Sequence, residues 1–259
     1  MPQTCLGAQL YTLRAFTKTL PDIAATLRKV KQMGYHAVQI SAFGPVDWKD
    51  VRKVLDDEGL ACAATHTGYP DMRDNPERVI ENHHVLGCKH LAPGSMPGEY
   101  QNAEGIARFA REASQVARKL KEKGGLTWSY HNHSFEFIRF DGRTGMEILF
   151  AESDPAFFNF EIDTYWVTHG GGDPAAWIRR AKGRSPLVHF KDMAVQRAEK
   201  KVEQVMAEVG EGNLNWPEIL RACKEAGVEW YLVEQDVCQR DPFESLAISL
   251  KNLKAWGLK

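Results

Sequence analysis

Residues 20–41, LPDIAATLRKVKQMGYHAVQIS, carry one helix and one strand in the order that decides the fold. Ile23, Leu27, Val30 and Met33 recur at the spacing that gathers apolar side chains on one face of an α-helix. Gly34 follows, where a left-handed cap favours a residue without a β-carbon. Ala37–Ser41 then reads as a short strand. The same pairing recurs in both directions along the chain. Further strands are predicted at Leu6–Tyr11, Ala61–His66, Cys88–Ala92, Leu126–His131, Phe158–Asp163, Leu187–Phe190 and Tyr231–Gln235, making eight. Amphipathic helices are predicted at Asp47–Glu58, Pro76–Leu86, Ala103–Glu122, Pro174–Ala181 and Trp216–Ala226, with Gly59, Gly87, Gly124 and Gly227 as further C-caps.

Strands alternating with helices imply parallel pairing through helical crossovers. Eight such units in 259 residues fit an α/β fold, a (β/α)8 TIM barrel forming a single domain over residues 1–259. The rival, a doubly wound open sheet, lacks support because no GxGxxG follows the first strand.

Composition narrows the function classes. Lys plus Arg number 33 and Asp plus Glu 34, a formal net charge of −1. A duplex-binding protein carries a basic excess to neutralise phosphates, so nucleic acid is not the expected partner. No apolar run approaches the roughly 20 residues that cross a bilayer. The start, MPQTCLGAQLYTLR, lacks the basic and apolar regions of a secretory signal. The five cysteines are scattered without a CxxC pair, which fits a reducing, cytoplasmic setting rather than a disulfide framework or a cysteine zinc site.

The predicted strands end in residues able to bind metals or move protons. Strand three ends in His66, and strand five runs into YHNHSFEF with His131, Asn132, His133 and Glu136. Strand six ends in EID with Asp163, strand seven in HFKD with His189, Lys191 and Asp192, and strand eight in VEQD with Glu234 and Asp236. All lie at C-terminal strand ends, the face on which barrel enzymes build their sites. Side chains alternate along a strand, so His189 and Lys191 share a face, as do Glu234 and Asp236, Glu161 and Asp163, and His131 and His133. Converging Asp, Glu and His without thiolates suit Mg²⁺, Mn²⁺, Co²⁺ or Zn²⁺, and the excess of carboxylates favours one Mn²⁺-like ion. His83 and His84, on a helix, read as surface residues. Trp166 and Trp216 read either as packing or as apolar walls for a sugar ring. GEGNLNW, residues 210–216, reads as a turn-rich loop, and no glycine-rich phosphate cradle follows strands seven or eight.

Taken in order, GAQLYTLR, YHNHSFEF, EIDTYWV, HFKD, VGEGNLNW, VEQD and ESLAISLKNL resemble the sugar phosphate isomerase/epimerase family. These are xylose isomerase-like barrels that also include endonuclease IV. The resemblance implies one divalent ion held by residues of strands five to eight. Asp163, His189 and Glu234 match three of those positions. Where the epimerases carry a strand-five glutamate, this chain has Tyr130-His131; Glu136 is the expected fourth ligand, with His131 or His133 as fallback.

The resemblance implies proton abstraction beside a carbonyl, with the enediolate stabilised by the metal. His131 or Glu234 is expected as base, Lys191 as electrophile or substrate-orienting cation, and His66 as a ligand for a substrate hydroxyl or carbonyl. The implied substrate is an unphosphorylated keto-sugar or polyol and the implied reaction isomerisation or epimerisation. The alternative is a dehydratase or lyase acting on a 3-keto-glycoside or inosose. An endonuclease IV-like nuclease would need further ligands on strand two, which ends in VQISAF. A non-catalytic sugar-binding barrel is a third class, and homo-oligomers occur among such relatives.

Overall fold

The computed structural model describes residues 5–199 and 201–258. Eight parallel strands close into a barrel in sequence order. They are β1 (Cys5–Gln9), β2 (Ala37–Ile40), β3 (Ala61–His66), β4 (His90–Ala92), β5 (Thr127–His131), β6 (Asn159–Asp163), β7 (Leu187–Phe190) and β8 (Trp230–Val233). β8 returns to β1 through Leu6 opposite Tyr231 and Ala8 opposite Val233, so the barrel itself has no open edge.

Among the described residues ten α-helices surround the strands: α1 (Leu20–Met33), α2 (Trp48–Glu58), α3 (Tyr69–Asp74), α4 (Pro76–Leu86), α5 (Ala103–Gly124), α6 (Gly145–Glu152), α7 (Thr164–His169), α8 (Pro174–Arg180), α9 (Trp216–Ala226) and α10 (Pro242–Ala255). α1 follows from its sequence at both ends. The Thr19 hydroxyl accepts the Asp22 amide, and Gly34 closes the helix at φ 102°. In the Gly124-Gly125 pair the second glycine is the left-handed cap, at φ 68°, and Gly124 is still helical.

The chain also departs from expectation after β1 and after β7. β1 stops at Gln9, whose side-chain oxygen accepts the Tyr11 amide and starts a 3-10 turn over Leu10–Phe16. After β7 the chain leaves the barrel in a hairpin of Asp192–Arg197 against Val202–Ala207. A smaller hairpin pairs Arg139–Phe140 with Arg143–Thr144.

The barrel interior is divided along its axis. Its floor is an apolar cluster of Ala37, Ala63, Ala64, Leu187 and Leu232. Gly7 belongs with them: a β-carbon there would stand 2.8 Å from Leu232 Cδ2. Above this floor the inward positions turn polar, with Gln9, Gln39, Glu161 and His189 all fully buried. The larger apolar core lies outside the strands, under the helices, where Phe109, Trp128, Phe158 and Phe160 pack.

Candidate active site

Strand parity delivers the site. Along β6, Glu161 and Asp163 point inward, and on β7 His189 does the same; Asp163 lies in register with His189. One step beyond each strand, Lys191 and Glu234 join them, and Glu234 extends the ladder by giving its N–H to the Phe190 carbonyl at 3.2 Å. His131, Asp163, His189 and Glu234 each offer an atom such that all four lie within 4.8 Å of one another. Asp163 uses its two oxygens differently. Oδ1 accepts the Trp166 amide and caps α7, whereas Oδ2 faces His131 Nε2 at 3.1 Å and Lys191 Nζ at 3.1 Å.

A deeper polar layer fixes the imidazoles. Gln39 Nε2 donates to Glu161 Oε1 at 2.9 Å, and a carboxylate only accepts, which sets the Gln39 amide orientation. Gln39 Oε1 therefore faces His189 Nε2, 2.7 Å away, and that nitrogen carries a proton. Gln9 gives its Nε2 proton to His66 Nδ1 at 3.3 Å, so His66 Nε2 donates to Glu161 Oε2 at 2.9 Å. His131 donates from Nδ1 to the Gly94 carbonyl at 3.1 Å.

The near-side nitrogens are left in a different position. His131 Nε2 has its lone pair against an Asp163 oxygen, so two acceptors meet. His189 Nδ1 stands 2.9 Å from Glu234 Oε2. The approach lacks hydrogen-bond alignment, which leaves His189 Nδ1 buried without a hydrogen-bond partner, while Glu234 Oε2 is ion-paired with Lys191 Nζ at 2.8 Å. Such an orphaned atom is costly unless something compensates it.

Charge points the same way. Burial works against ionising Glu161, Asp163 and Glu234, but the facing His189 and Lys191 outweigh it and hold all three below the usual carboxylate range. Burial and the nearby Glu234 push the Asp236 carboxyl up to about 6. His189 and Lys191, although buried, are raised by these carboxylates and are cationic. Burial and the neighbouring His189 lower His131, and burial drives His133 down to about 3, so both are neutral. Near neutral pH four carboxylates face His189, Lys191 and, at the cavity wall, Arg14, which leaves a deficit of positive charge. The cavity above has a volume of about 520 Å³, and Tyr11, Arg14, Ser95, Trp166 and Val237 contribute to its walls.

Glu136 is the expected site residue that the structure does not bring into the cluster. Tyr130 points outward from β5 to pack on Phe109, and its hydroxyl donates to Glu136 Oε1 at 2.6 Å. The Glu136 carboxylate also accepts the His133 amide, so it is committed to the layer behind the strand. His131, the fallback, stands in the cluster instead. His66 reaches the wall, with both ring nitrogens engaged. Asp192, grouped with His189 and Lys191 in the sequence, has the opposite parity and faces away. It accepts the amides of Gly210, Gly212 and Leu214 and the Trp216 indole, so it fastens the 210–216 loop rather than the site.

Those loop amides are thereby already used, in keeping with the absence of a phosphate cradle. Trp216 is packing, 5.0 Å from Phe190, whereas Trp166 lines the cavity with Lys191 Nζ 5.6 Å from its ring centre. His84 is exposed, but His83 is buried and bonded to Thr65, contrary to its reading as a surface residue. Sequence reasoning missed Gln9 and Gln39 altogether and gave Glu161 no role. Their signal was polar residues at inward positions of short strands.

Comparisons with known proteins show the same barrel. A crystal structure of a sugar phosphate isomerase/epimerase from Parabacteroides distasonis superposes with a TM-score of 0.84 at 25% identity, covering 100% of this chain and 96% of that one. The structure of an L-ribulose 3-epimerase shares the fold, with a TM-score of 0.72 at 15% identity over 99% of this chain and 95% of that one. The inosose dehydratase of Lacticaseibacillus casei is 28% identical over 169 residues, which are 59% of this chain and 53% of that protein. The chain thus spans about half the length of the curated relatives it matches. No helix among the described residues is long and apolar enough to cross a membrane. The family model of the xylose isomerase-like TIM barrel matches residues 27–256, and the chain belongs to that family.

Proposed function

We propose that this chain is a divalent-metal-dependent isomerase or epimerase acting on a keto-sugar or related polyol. One observation carries the reading: His131 Nε2, Asp163, His189 Nδ1 and Glu234 converge while both imidazoles already donate from their far nitrogens to oxygen acceptors. A metal-ligating histidine characteristically gives its other N–H to such an oxygen. The donor set fits an ion, because the facing acceptors His131 Nε2 and Asp163 Oδ2, and His189 Nδ1 once it gives up its proton, are what a cation between them would satisfy. His131 replaces Glu136 in the proposed ligand set. Two nitrogens and two carboxylate groups suit Mn²⁺ foremost, with Co²⁺, Zn²⁺ or Mg²⁺ as substitutes.

When bound, such an ion supplies Lewis-acid polarisation of adjacent carbonyl and hydroxyl oxygens. The chain supplies the rest. Glu234, held ionised, takes the proton from the carbon beside the carbonyl. Lys191, 2.8 Å from Glu234, presents a fixed positive charge to developing negative charge on a substrate oxygen. His66 holds Glu161 in place and thereby the Gln39–His189 pair.

A second reading, a dehydratase of an inosose or 3-keto-glycoside, rests on a specific feature. On strand five the site offers the imidazole of His131 rather than a second carboxylate for a two-base epimerisation. The same chemistry begins either reaction. Incubation in D₂O with Mn²⁺ and a panel of ketohexoses, inososes and 3-keto-glucosides should place deuterium at the carbon beside the carbonyl, and chelator should abolish it. Unchanged product mass indicates epimerisation and loss of water indicates elimination. Ligand binding without any exchange would overturn both.

A further inference from the structure

A second cavity, a lobe of about 430 Å³ at the ends of β2 and β3, adjoins the one over the cluster, and Ser41 and His66 line both. Phe43, Val46 and Trp48 from the β2–α2 connection and Val79 and Leu86 from α4 supply its apolar lining. Its polar side is assembled from α4 and the end of β3. His83 donates from Nδ1 to the Val79 carbonyl at 2.7 Å, so its Nε2 accepts the Thr65 hydroxyl at 2.8 Å. Thr65 in turn accepts from the Thr67 hydroxyl at 2.9 Å. Thr67, which lines the lobe, thus has its proton committed and only acceptor capacity to offer.

The aromatic wall is built at the cost of backbone strain. Ala42 sits at φ 57°, a left-handed conformation that a residue with a β-carbon rarely adopts. The Lys18 ammonium holds the Ala42 carbonyl at 3.2 Å, and the Gly44 amide bonds to the Thr17 carbonyl at 2.9 Å. Only glycine permits that contact, because a β-carbon at position 44 would stand 1.9 Å from the Lys18 carbonyl oxygen. Phe43 lies between these two pinned residues. The loop is therefore held in a strained shape beside the site, and packing of the floor does not account for it.

From the Ser41–His66 wall common to the two adjoining cavities and the aromatic lining of the second, we infer that the substrate is a two-part molecule. The reacting sugar ring lies over the His–carboxylate cluster, and a glycosidic substituent with a flat apolar face fills the second lobe against Phe43 and Trp48. This rests on the reading of the first cavity as a sugar site. A ring with an apolar face and a hydrogen-bond donor on its edge matches the aromatic wall and the Thr67 acceptor. A phenyl aglycone has the apolar face alone, and a hydroxylated aryl group or a second sugar ring has both the face and the donor.

Calorimetric titration of the Mn²⁺-loaded protein with methyl β-glucoside, phenyl β-glucoside and cellobiose tests the inference. Phenyl β-glucoside should bind about tenfold more tightly than methyl β-glucoside, the gain expected from one stacked, desolvated ring. Trp48→Ala should remove that preference and leave methyl β-glucoside binding unchanged. Asn82→Phe, which fills the lobe from its α4 side without touching the core, should do the same. Cellobiose matching phenyl β-glucoside assigns the lobe to a sugar ring; cellobiose matching methyl β-glucoside assigns it to an aryl group. Equal binding of all three, or a preference surviving both substitutions, overturns the inference. Turnover of a free keto-sugar with no glucoside bound removes the lobe and leaves the proposed reaction standing. A lobe-dependent preference without deuterium exchange removes the reaction and leaves the lobe.

Discussion

Replacing Lys191 by methionine keeps most of its volume and removes the ammonium that lies 3.1 Å from Asp163, 2.8 Å from Glu234 and 3.0 Å from Asp236. All of these groups are buried or nearly so, and deleting one partner of a buried ion pair costs about 3–5 kcal/mol. For a chain of this length each kcal/mol lowers Tm by roughly 2–4 °C, so the variant should melt about 10 °C below the parent at pH 8 in chelator. The deficit should also depend on pH. Asp236 is already pushed up to about 6, and loss of the lysine charge raises it further. An acid whose folded pKa is raised contributes stability below its unfolded pKa, near 4, and loses it as pH rises through the folded value. The Lys191→Met deficit should therefore be small at pH 5 and largest at pH 8. Saturating Mn²⁺ should narrow it by supplying charge at the same carboxylates. Thermal melts of both proteins at pH 5 and 8, with and without Mn²⁺, make the comparison. Equal melting at pH 8 in chelator, or a deficit independent of pH, would refute the view that Lys191 balances these carboxylates.

Two further outcomes follow from the deeper polar layer and from the group behind β5. Gln39→Leu removes the acceptor that orients His189 and should weaken Mn²⁺ binding about 10–100-fold, read by metal titration, with the secondary structure intact by circular dichroism. Burial pushes the Glu136 carboxyl up to about 7, so it stabilises the fold below pH 4.5 and that contribution fades as pH rises through 7. Glu136→Gln does not titrate; relative to the parent it should gain about 3 kcal/mol between pH 4.5 and 8 in urea unfolding. A constant difference across that range would mean that Glu136 does not titrate there.

The barrel was legible because its units repeat. Helices over Pro76–Leu86 and Trp216–Ala226 and strands over Ala61–His66 and Leu187–Phe190 fall where periodicity and caps place them. The site was legible in outline because period-two parity within a strand is fixed by the backbone. Glu136 was not, since it lies past the strand end, where a 3-10 turn over Phe135–Phe137 sets its direction and parity no longer applies. The burial of His83 carried a usable signal: with Val79 and Leu86 it falls on the apolar stripe of α4. Glu161 and Gln39 depend on contacts between strands far apart in sequence, and no local pattern encodes which inward polar residues meet.

The run 187–192 shows how closely two tasks are interleaved. Odd-numbered His189 and Lys191 serve the cavity, while even-numbered Asp192 anchors the loop leading to α9. A single residue deleted ahead of His189 would bring Asp192, a carboxylate, into the cavity in place of the ammonium, whereas a single residue inserted there would turn Lys191 toward a loop that needs an acceptor. The segment can thus tolerate change in the identity of its outward apolar residues far better than any change in its length.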